Sequence, residues 1–172
     1  MLNKLIREDD IHMRIREIKP ADDAQMAKIL RTSLEQLHLN LPGTAYFDPF
    51  VDRLSEWYQQ TPAAKYFVAV AAEDQVVGGC GVGPIVPEQG IGELQKLYVD
   101  PDYRRHGVAT QLLPVCFSYA TTHYQSLYLE TFASMTAANQ LYDQVGFKRL
   151  TRPLSQSEHG ACDTWYLKRL QS

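Results

Sequence analysis

The sequence predicts a single domain of mixed α/β (α+β) class, with strands and helices interleaved along the chain. Three observations carry that expectation. Segments that alternate apolar and polar residues, such as "MRIREIKP", are separated by segments with apolar residues at helical spacing, such as "ADDAQMAKILRTSLEQL". A length of 172 residues suits one domain with a real core and is short for two. Composition is that of a globular protein, 45% hydrophobic and 22% charged, which excludes a disordered or fibrous chain.

Residues 1–12 read as a lead-in and residues 13–172 as the domain. "MRIREIKP", Met13 to Pro20, is the first strand. The helix that follows has Asp22 and Asp23 in its first turn, where they favour the helix dipole, and Met26, Ile29, Leu30, Leu34 and Leu37 along one face. A loop containing Pro and Gly, "HLNLPGTAYFDP", leads to a second helix, "FVDRLSEWYQQ", closed by Pro62. "AKYFVAVAAE" and "QVVGGCGVGPIV" form an antiparallel pair around a turn at Glu73 to Gln75, and "IGELQKLYV" continues the meander after the turn "PEQG".

After Gly107, Val108, Leu112, Val115 and Tyr119 fall at helical spacing, so a helix runs to about Tyr124. Pro114 inside it predicts a kink or a short, tight first part. "SLYLETFA" returns as a strand, "MTAANQLYDQVG" is a helix stopped by Gly146, and "FKRL" and "DTWYLKRL" close the domain as strands.

Charge and cysteine usage narrow the function. Seventeen basic against twenty acidic residues give a net charge of −3, which argues against a nucleic-acid partner. The start, "MLNKLIREDD", breaks into charge before the apolar core of a signal peptide, and no apolar stretch is long enough to span a bilayer, so a cytoplasmic protein with no membrane partner is expected. Cys80, Cys116 and Cys162 stand far apart without a C-x-x-C pair and read as reduced, mostly buried thiols, with a catalytic cysteine as the open alternative.

Two glycine-bearing stretches invite a phosphate reading. "GGCGVG", Gly78 to Gly83, lacks the G-x-G-x-x-G spacing and is followed by Pro84 and more strand, so its glycines serve a bend or a close approach. "LYVDPDYRRHGVATQLL" has the context the first lacks: a strand ends at Val99 and a helix begins near Gly107. The first amides of a helix have no intrahelical acceptor and carry partial positive charge, which suits a phosphate. Arg104 and Arg105 add charge, while Gly107 and Ala109 keep bulk away. A solvated basic helix start is the competing reading of that stretch by itself.

Arg104-Arg105-His106-Gly107-Val108-Ala109 matches the [Q/R]-x-x-G-x-[G/A] pyrophosphate loop of the GCN5-related N-acetyltransferase (GNAT) family. It follows "ELQKLYVDPDYR" and precedes "ANQLYDQVGF", and the sequence resembles that family from roughly Met13 to Leu170. The resemblance implies an acetyl-CoA-dependent N-acetyltransferase with no metal, on a mostly antiparallel sheet splayed between two parallel strands and flanked by helices. The cofactor would lie in the splay beside Leu97, Tyr98 and Val99, with its pyrophosphate on the loop Arg104, Arg105, His106, Gly107, Val108, Ala109 and Thr110, and with Asn139 on the thioester side. Tyr142 stands at the usual position of the general acid and Glu93 at that of the general base, with Glu130 as a second base candidate. Met135 stands where many relatives carry asparagine.

The acceptor pocket is expected from His38 to Pro49 and from Thr151 to Asp163, with Tyr46, Phe47, His159 and Trp165 as candidates. A small amine or free amino acid is the preferred acceptor. A protein N-terminus or lysine, or a CoA sensor without catalysis, are the alternatives. A homodimer is left open.

Overall fold

The computed structural model describes residues 12–154 and 159–171, so the expected lead-in, apart from His12, and part of the loop Thr151 to Asp163 lie outside the described residues. The strands are β1 (Arg14–Glu17), β2 (Lys65–Val70), β3 (Val76–Val86), β4 (Ile91–Val99), β5 (Ser126–Thr131), β6 (Lys148–Leu150) and β7 (Thr164–Arg169). The helices are α1 (Asp23–Gln36), α2 (Leu54–Gln60), α3 (Val108–Thr121) and α4 (Thr136–Gln144). They form one seven-stranded sheet in the order β1-β2-β3-β4-β5-β7-β6. Every neighbouring pair is antiparallel except β4 and β5.

Period-two alternation sorts the core into the two faces of that sheet. Ala69, Val77, Cys80 and Val82 pack with Val108, Leu112, Leu113 and Cys116 of α3. Their neighbours Val68, Val70 and Val76 pack instead with Met26 and Ile29 of α1 and Leu54 and Tyr58 of α2. Helix α3 runs unbroken through Pro114. Among the described residues no helix is long and apolar enough to cross a membrane.

Asp22 and Asp23 do more than complement a dipole. Both carboxylate oxygens of Asp22 accept from Arg16 on β1, at 2.6 and 3.0 Å, and one also accepts from the Lys19 amide. Asp23 accepts from the Ser55 amide at 2.9 Å and from its hydroxyl at 2.6 Å, which fastens α2 to α1. Buried carboxylates engaged in this way stabilise the layer because their desolvation is offset by charged hydrogen bonds.

The glycines of "GGCGVG" serve close approach within β3. A Cβ on Gly78 would lie 2.9 Å from the Val108 side chain at the start of α3. A Cβ on Gly79 would meet the Tyr66 ring at 2.5 Å, and one on Gly81 would overlap the Tyr58 hydroxyl. Tyr58 and Tyr66 therefore press closely on the strand, with ring centroids 5.1 Å apart. The expected consequence is that Gly81→Ala lowers stability by about 1–3 kcal/mol, the usual cost of overpacking. Urea denaturation read by tryptophan fluorescence would show it as a lower midpoint.

Candidate active site

The site begins where β4 and β5 part. Ile91, Gly92 and Glu93 pair with Ser126, Leu127 and Tyr128, and no pairing between the two strands follows. Beyond that point β4 keeps only β3, and β5 keeps only β7. The splay expected from the family resemblance is thus present, and it opens immediately after Glu93.

Strand β4 carries an irregularity that its sequence did not announce. Gly79 faces Tyr98 and Gly81 faces Gln95, so one residue of β3, Cys80, stands opposite two of β4, Lys96 and Leu97. This is a β-bulge, and Lys96 adopts a φ of +50° within it. The buried Tyr66 hydroxyl donates to the Lys96 carbonyl at 2.7 Å and fixes the distorted turn.

The chain then leaves the sheet through a capped turn. The Asp100 side chain accepts from the Asp102 amide at 3.0 Å, and Arg105 and Gly107 take φ values of +67° and +74° before α3 starts. The first bond of the helix runs from the Gln111 amide to the Gly107 carbonyl, so the amides of Val108, Ala109 and Thr110 have no acceptor in the helix. Nothing lies within 4 Å of an ideal Cβ on Gly107, so that face of the loop is open.

Beside this loop runs a cleft of about 480 Å³, walled by the end of β4, the start of α3 and the start of α4. Leu97, Tyr98, Val99, Arg104, Arg105, Gly107, Val108, Ala109 and Thr110 all line it. His106 is exposed in the turn and does not line it. Arg104 also reaches across to α1, donating to Ser33 Oγ and Gln36 Oε1 at 3.2 Å each. Asn139 is outside the cleft lining as well. Its amide nitrogen donates to the carbonyls of Phe132 and Met135 at 2.9 Å each, tying down the entry to α4, and its buried Oδ1 has no partner among the described residues.

A second, enclosed cavity of about 60 Å³ adjoins the cleft, sharing Leu97, Tyr98 and Met135 with it. Glu93, Tyr142, Glu130, Lys96, His159 and Cys162 line this cavity. Of the four acceptor-side candidates, only His159 lines it. Trp165 lies opposite Glu130 in the register of β5 and β7, while Tyr46 and Phe47 stack edge to face on the loop before α2.

Glu93 Oε2 accepts from Gln95 Nε2 at 2.8 Å, and Gln95 Oε1 accepts from the Tyr58 hydroxyl at 2.7 Å. Burial raises the Glu93 pKa above the ordinary carboxylate value, with the neighbouring Glu130 adding to the rise and with Gln95, His159 and Lys96 opposing it. Tyr142 is buried against Phe147 and Tyr166, at 5.8 Å between centroids in each case. Its hydroxyl has no hydrogen-bond partner among the described residues, and burial holds it well above the usual phenol pKa. Glu130 accepts from the Tyr128 hydroxyl at 2.7 Å.

Asp48 stands between Lys96 and His159, 2.6 Å from Lys96 Nζ and 3.0 Å from His159 Nε2. Burial alone would raise its pKa, but the His159 hydrogen bond and the Lys96 charge prevail and lower it. Burial works against a charged His159, and the Asp48 hydrogen bond and charge more than offset it, raising that pKa. Cys80 and Cys116 are buried, and burial raises the Cys162 thiol to about 12, which leaves none of the three poised as a nucleophile. No group of His, Cys, Asp or Glu among the described residues could hold a metal ion.

Sequence reasoning missed Asp48, Lys96, Gln95 and Tyr58. Lys96 sits in a run that reads as regular strand, Asp48 in a loop without periodicity, and Tyr58 on the apolar face of a helix. Only the glycines opposite Tyr58 hinted that a side chain must come close.

Comparison with known proteins agrees with this geometry. Residues 30–147 match the model of the acetyltransferase (GNAT) family. The chain is 32% identical to the uncharacterized N-acetyltransferase YjgM of Escherichia coli over 159 residues, 91% of this chain and 94% of that one. It is 34% identical to N-acetylaspartate synthetase of Xenopus tropicalis over 103 residues, 56% of this chain but only 35% of that one. The fold is shared with yncA of Salmonella typhimurium, solved with its cofactor acetyl-CoA, at a TM-score of 0.71 and 18% identity over 92% of this chain and 94% of that one.

The residues present fit acetyl-CoA. The cleft falls within the size range of small-molecule sites, free amides and an open glycine face stand at one end, and the enclosed cavity stands at the other. Acetyl-CoA is accordingly expected to raise the melting temperature, by about 2.7 kcal/mol of added stability at a hundredfold excess over its Kd. Differential scanning fluorimetry with saturating acetyl-CoA checks this, and an unmoved transition would count against the cleft as its site.

Proposed function

Because the chain belongs to the acetyltransferase (GNAT) family, we propose that it moves the acetyl group of acetyl-CoA to the primary amine of a small molecule, a free amino acid in the first instance. The observation that carries this reading is that Glu93 and Tyr142, a carboxylate and a phenol with raised pKa values, line one enclosed cavity at the fork of β4 and β5. Room for about four waters suits the head of a small amine. The name of one relative, N-acetylaspartate synthetase, supports an amino acid as acceptor.

Each residue has a role set by its surroundings. Acetyl-CoA supplies the thioester. The amides of Val108, Ala109 and Thr110 bind phosphate, with Arg104 and Arg105 contributing charge. Exposed His106 contributes least of the loop, and Asn139 acts by holding the β5–α4 connection that borders the cleft. The backbone of Leu97, Tyr98 and Val99, freed on the β5 side, offers hydrogen bonds to an amide-bearing arm, and an amide near Val99 polarises the thioester carbonyl.

Glu93 accepts the proton that the amine must lose, directly or through a water. The new N–C bond forms as the C–S bond breaks, and Tyr142 gives its proton to the departing thiolate. A phenol is protonated at neutral pH and so has that proton to give. Binding without catalysis would need neither side chain.

A panel of amino acids, polyamines and peptides, followed by release of free thiol, tests the reading. Release with amino acids is expected, and release with none of the panel would favour a sensor. Tyr142→Phe should lower kcat by about a hundredfold or more, as expected for a lost proton donor, with the Kd for acetyl-CoA unchanged. An unaltered kcat would remove Tyr142 from the acid role.

The pH dependence has a definite sign. Glu93 works only when ionised, and its raised pKa means that kcat/KM falls with decreasing pH earlier than an ordinary glutamate would require. Glu93→Gln should abolish that acidic limb and most of the rate. A limb that survives in the variant would assign it to another group.

A further inference from the structure

The cleft and the enclosed cavity meet at Leu97, Tyr98 and Met135, which line both. Leu97 packs into the core on the α3 side of the sheet, and Tyr98 into the clusters on the α1 side, so the two strand residues are braced by their neighbours. Met135 is half-buried and belongs to none of the hydrophobic clusters among the described residues. Its side chain is spent on the partition between the two spaces and not on the core.

The backbone beneath that side chain is held on both sides. Met135 immediately precedes α4, with φ −82° and ψ 65°. Its amide donates to the Phe132 carbonyl at 3.0 Å, and its own carbonyl accepts from the Asn139 amide at 3.0 Å and from the Asn139 side chain at 2.9 Å. Methionine is an unbranched, adaptable side chain that fills irregular gaps. Here the hydroxyl of Thr131, the buried last residue of β5, donates to the Met135 sulfur at 3.6 Å and holds the thioether toward the end of that strand.

Volume decides what such a partition does. The cavity has room for about four waters. A carbonyl carbon, its oxygen and a methyl, with the attacking nitrogen beside them, fill that room, so any further methylene has to displace either the amine or Met135. We propose that Met135 is the residue that limits the donor to a short acyl chain. The acyl group reaches Glu93 and Tyr142 between Met135 on one side and Leu97 and Tyr98 on the other, and the methionine side chain occupies the space that the extra methylenes of a butyryl group would need. Met135 sets specificity for the donor; it takes no part in the bond changes. This inference rests on the reading of the cleft as the acetyl-CoA site and of the cavity as the place of transfer.

The test is binding without an acceptor, so its outcome is independent of which amine is acetylated. Isothermal titration calorimetry gives the Kd of CoA, acetyl-CoA and butyryl-CoA for the wild-type protein and for Met135→Ala, which removes the side chain beyond Cβ. The wild type should bind butyryl-CoA about tenfold or more weakly than acetyl-CoA, the discrimination that a filled pocket makes against added methylenes. In Met135→Ala that difference should all but vanish. CoA, which carries no acyl group, should bind both proteins alike and serves as the folding control; Met135→Val, a smaller cut with the same expected direction, replaces Met135→Ala if that variant does not fold. Binding of butyryl-CoA by the wild type as tightly as acetyl-CoA, or more tightly, would overturn the limit and leave the acetyl-transfer reading standing. A preference that survives in the variant would also overturn it, assigning the limit to Leu97 and Tyr98. So would an equal loss for CoA and both thioesters, which would assign Met135 to contact with the rest of the cofactor. Binding of none of the three to the wild type would overturn the limit together with the reading of the cleft.

Discussion

Backbone N–H and C=O groups on the facing edges of two strands must find partners, and after Glu93 those of β4 and β5 no longer find each other. Each strand keeps a partner on its outer side, β3 for one and β7 for the other, so the sheet survives the fork. The inner edge of β4 beyond Glu93 is left without a strand partner. The cleft, the free amides at the start of α3 and the enclosed cavity are all arranged around that opening. Two parallel strands kept together for three residue pairs and then released open a cleft in a sheet without a long loop.

The core supports the fork through small residues. Glycines at 78, 79 and 81 let Val108, Tyr66 and Tyr58 press onto β3. Those contacts reach the chemistry directly, because the Tyr66 hydroxyl holds the bulge carbonyl and the Tyr58 hydroxyl holds Gln95. Gln95 has one oxygen and one NH₂. Once Tyr58 donates to the oxygen, the NH₂ group is turned to Glu93. A tyrosine in the core thereby orients the carboxylate at the fork, and the glycine opposite it is what makes room.

The parts of this protein that the sequence revealed are those with a local signature. The order of strands and helices follows from periodicity. The candidate loop is marked by a strand end, two arginines and a glycine that takes a positive φ before a helix. Tyr142, picked out by its place before "DQVGF", and Glu93, picked out by its distance to Gly107, line one cavity. Asp48, Lys96 and His159 could not be read together, since 111 residues separate the first from the last and only the tertiary fold joins them. The bulge was hidden for another reason. "IGELQKLYV" has ordinary strand composition, and the insertion is imposed by Tyr66 from β2 and by the register with β3, not by any residue of β4 that favours a left-handed backbone. Asn139 shows the converse: a polar residue in a recognisable motif that spends its amide nitrogen on the carbonyls of its own turn.

One irregularity in β4 answers three demands at once. Before the bulge, Glu93 and Gln95 share a face, as residues two apart in a strand must, so the hydrogen bond between them comes from regular geometry. At the bulge, Lys96 leaves the alternation and joins that same cavity. After it, Leu97, Tyr98 and Val99 resume the strand in a shifted phase and line the cleft. A regular strand could satisfy the first and third demands only by pointing Lys96 elsewhere. The charges then act on one another: Glu130 raises the Glu93 pKa, while Lys96 and His159 restrain it.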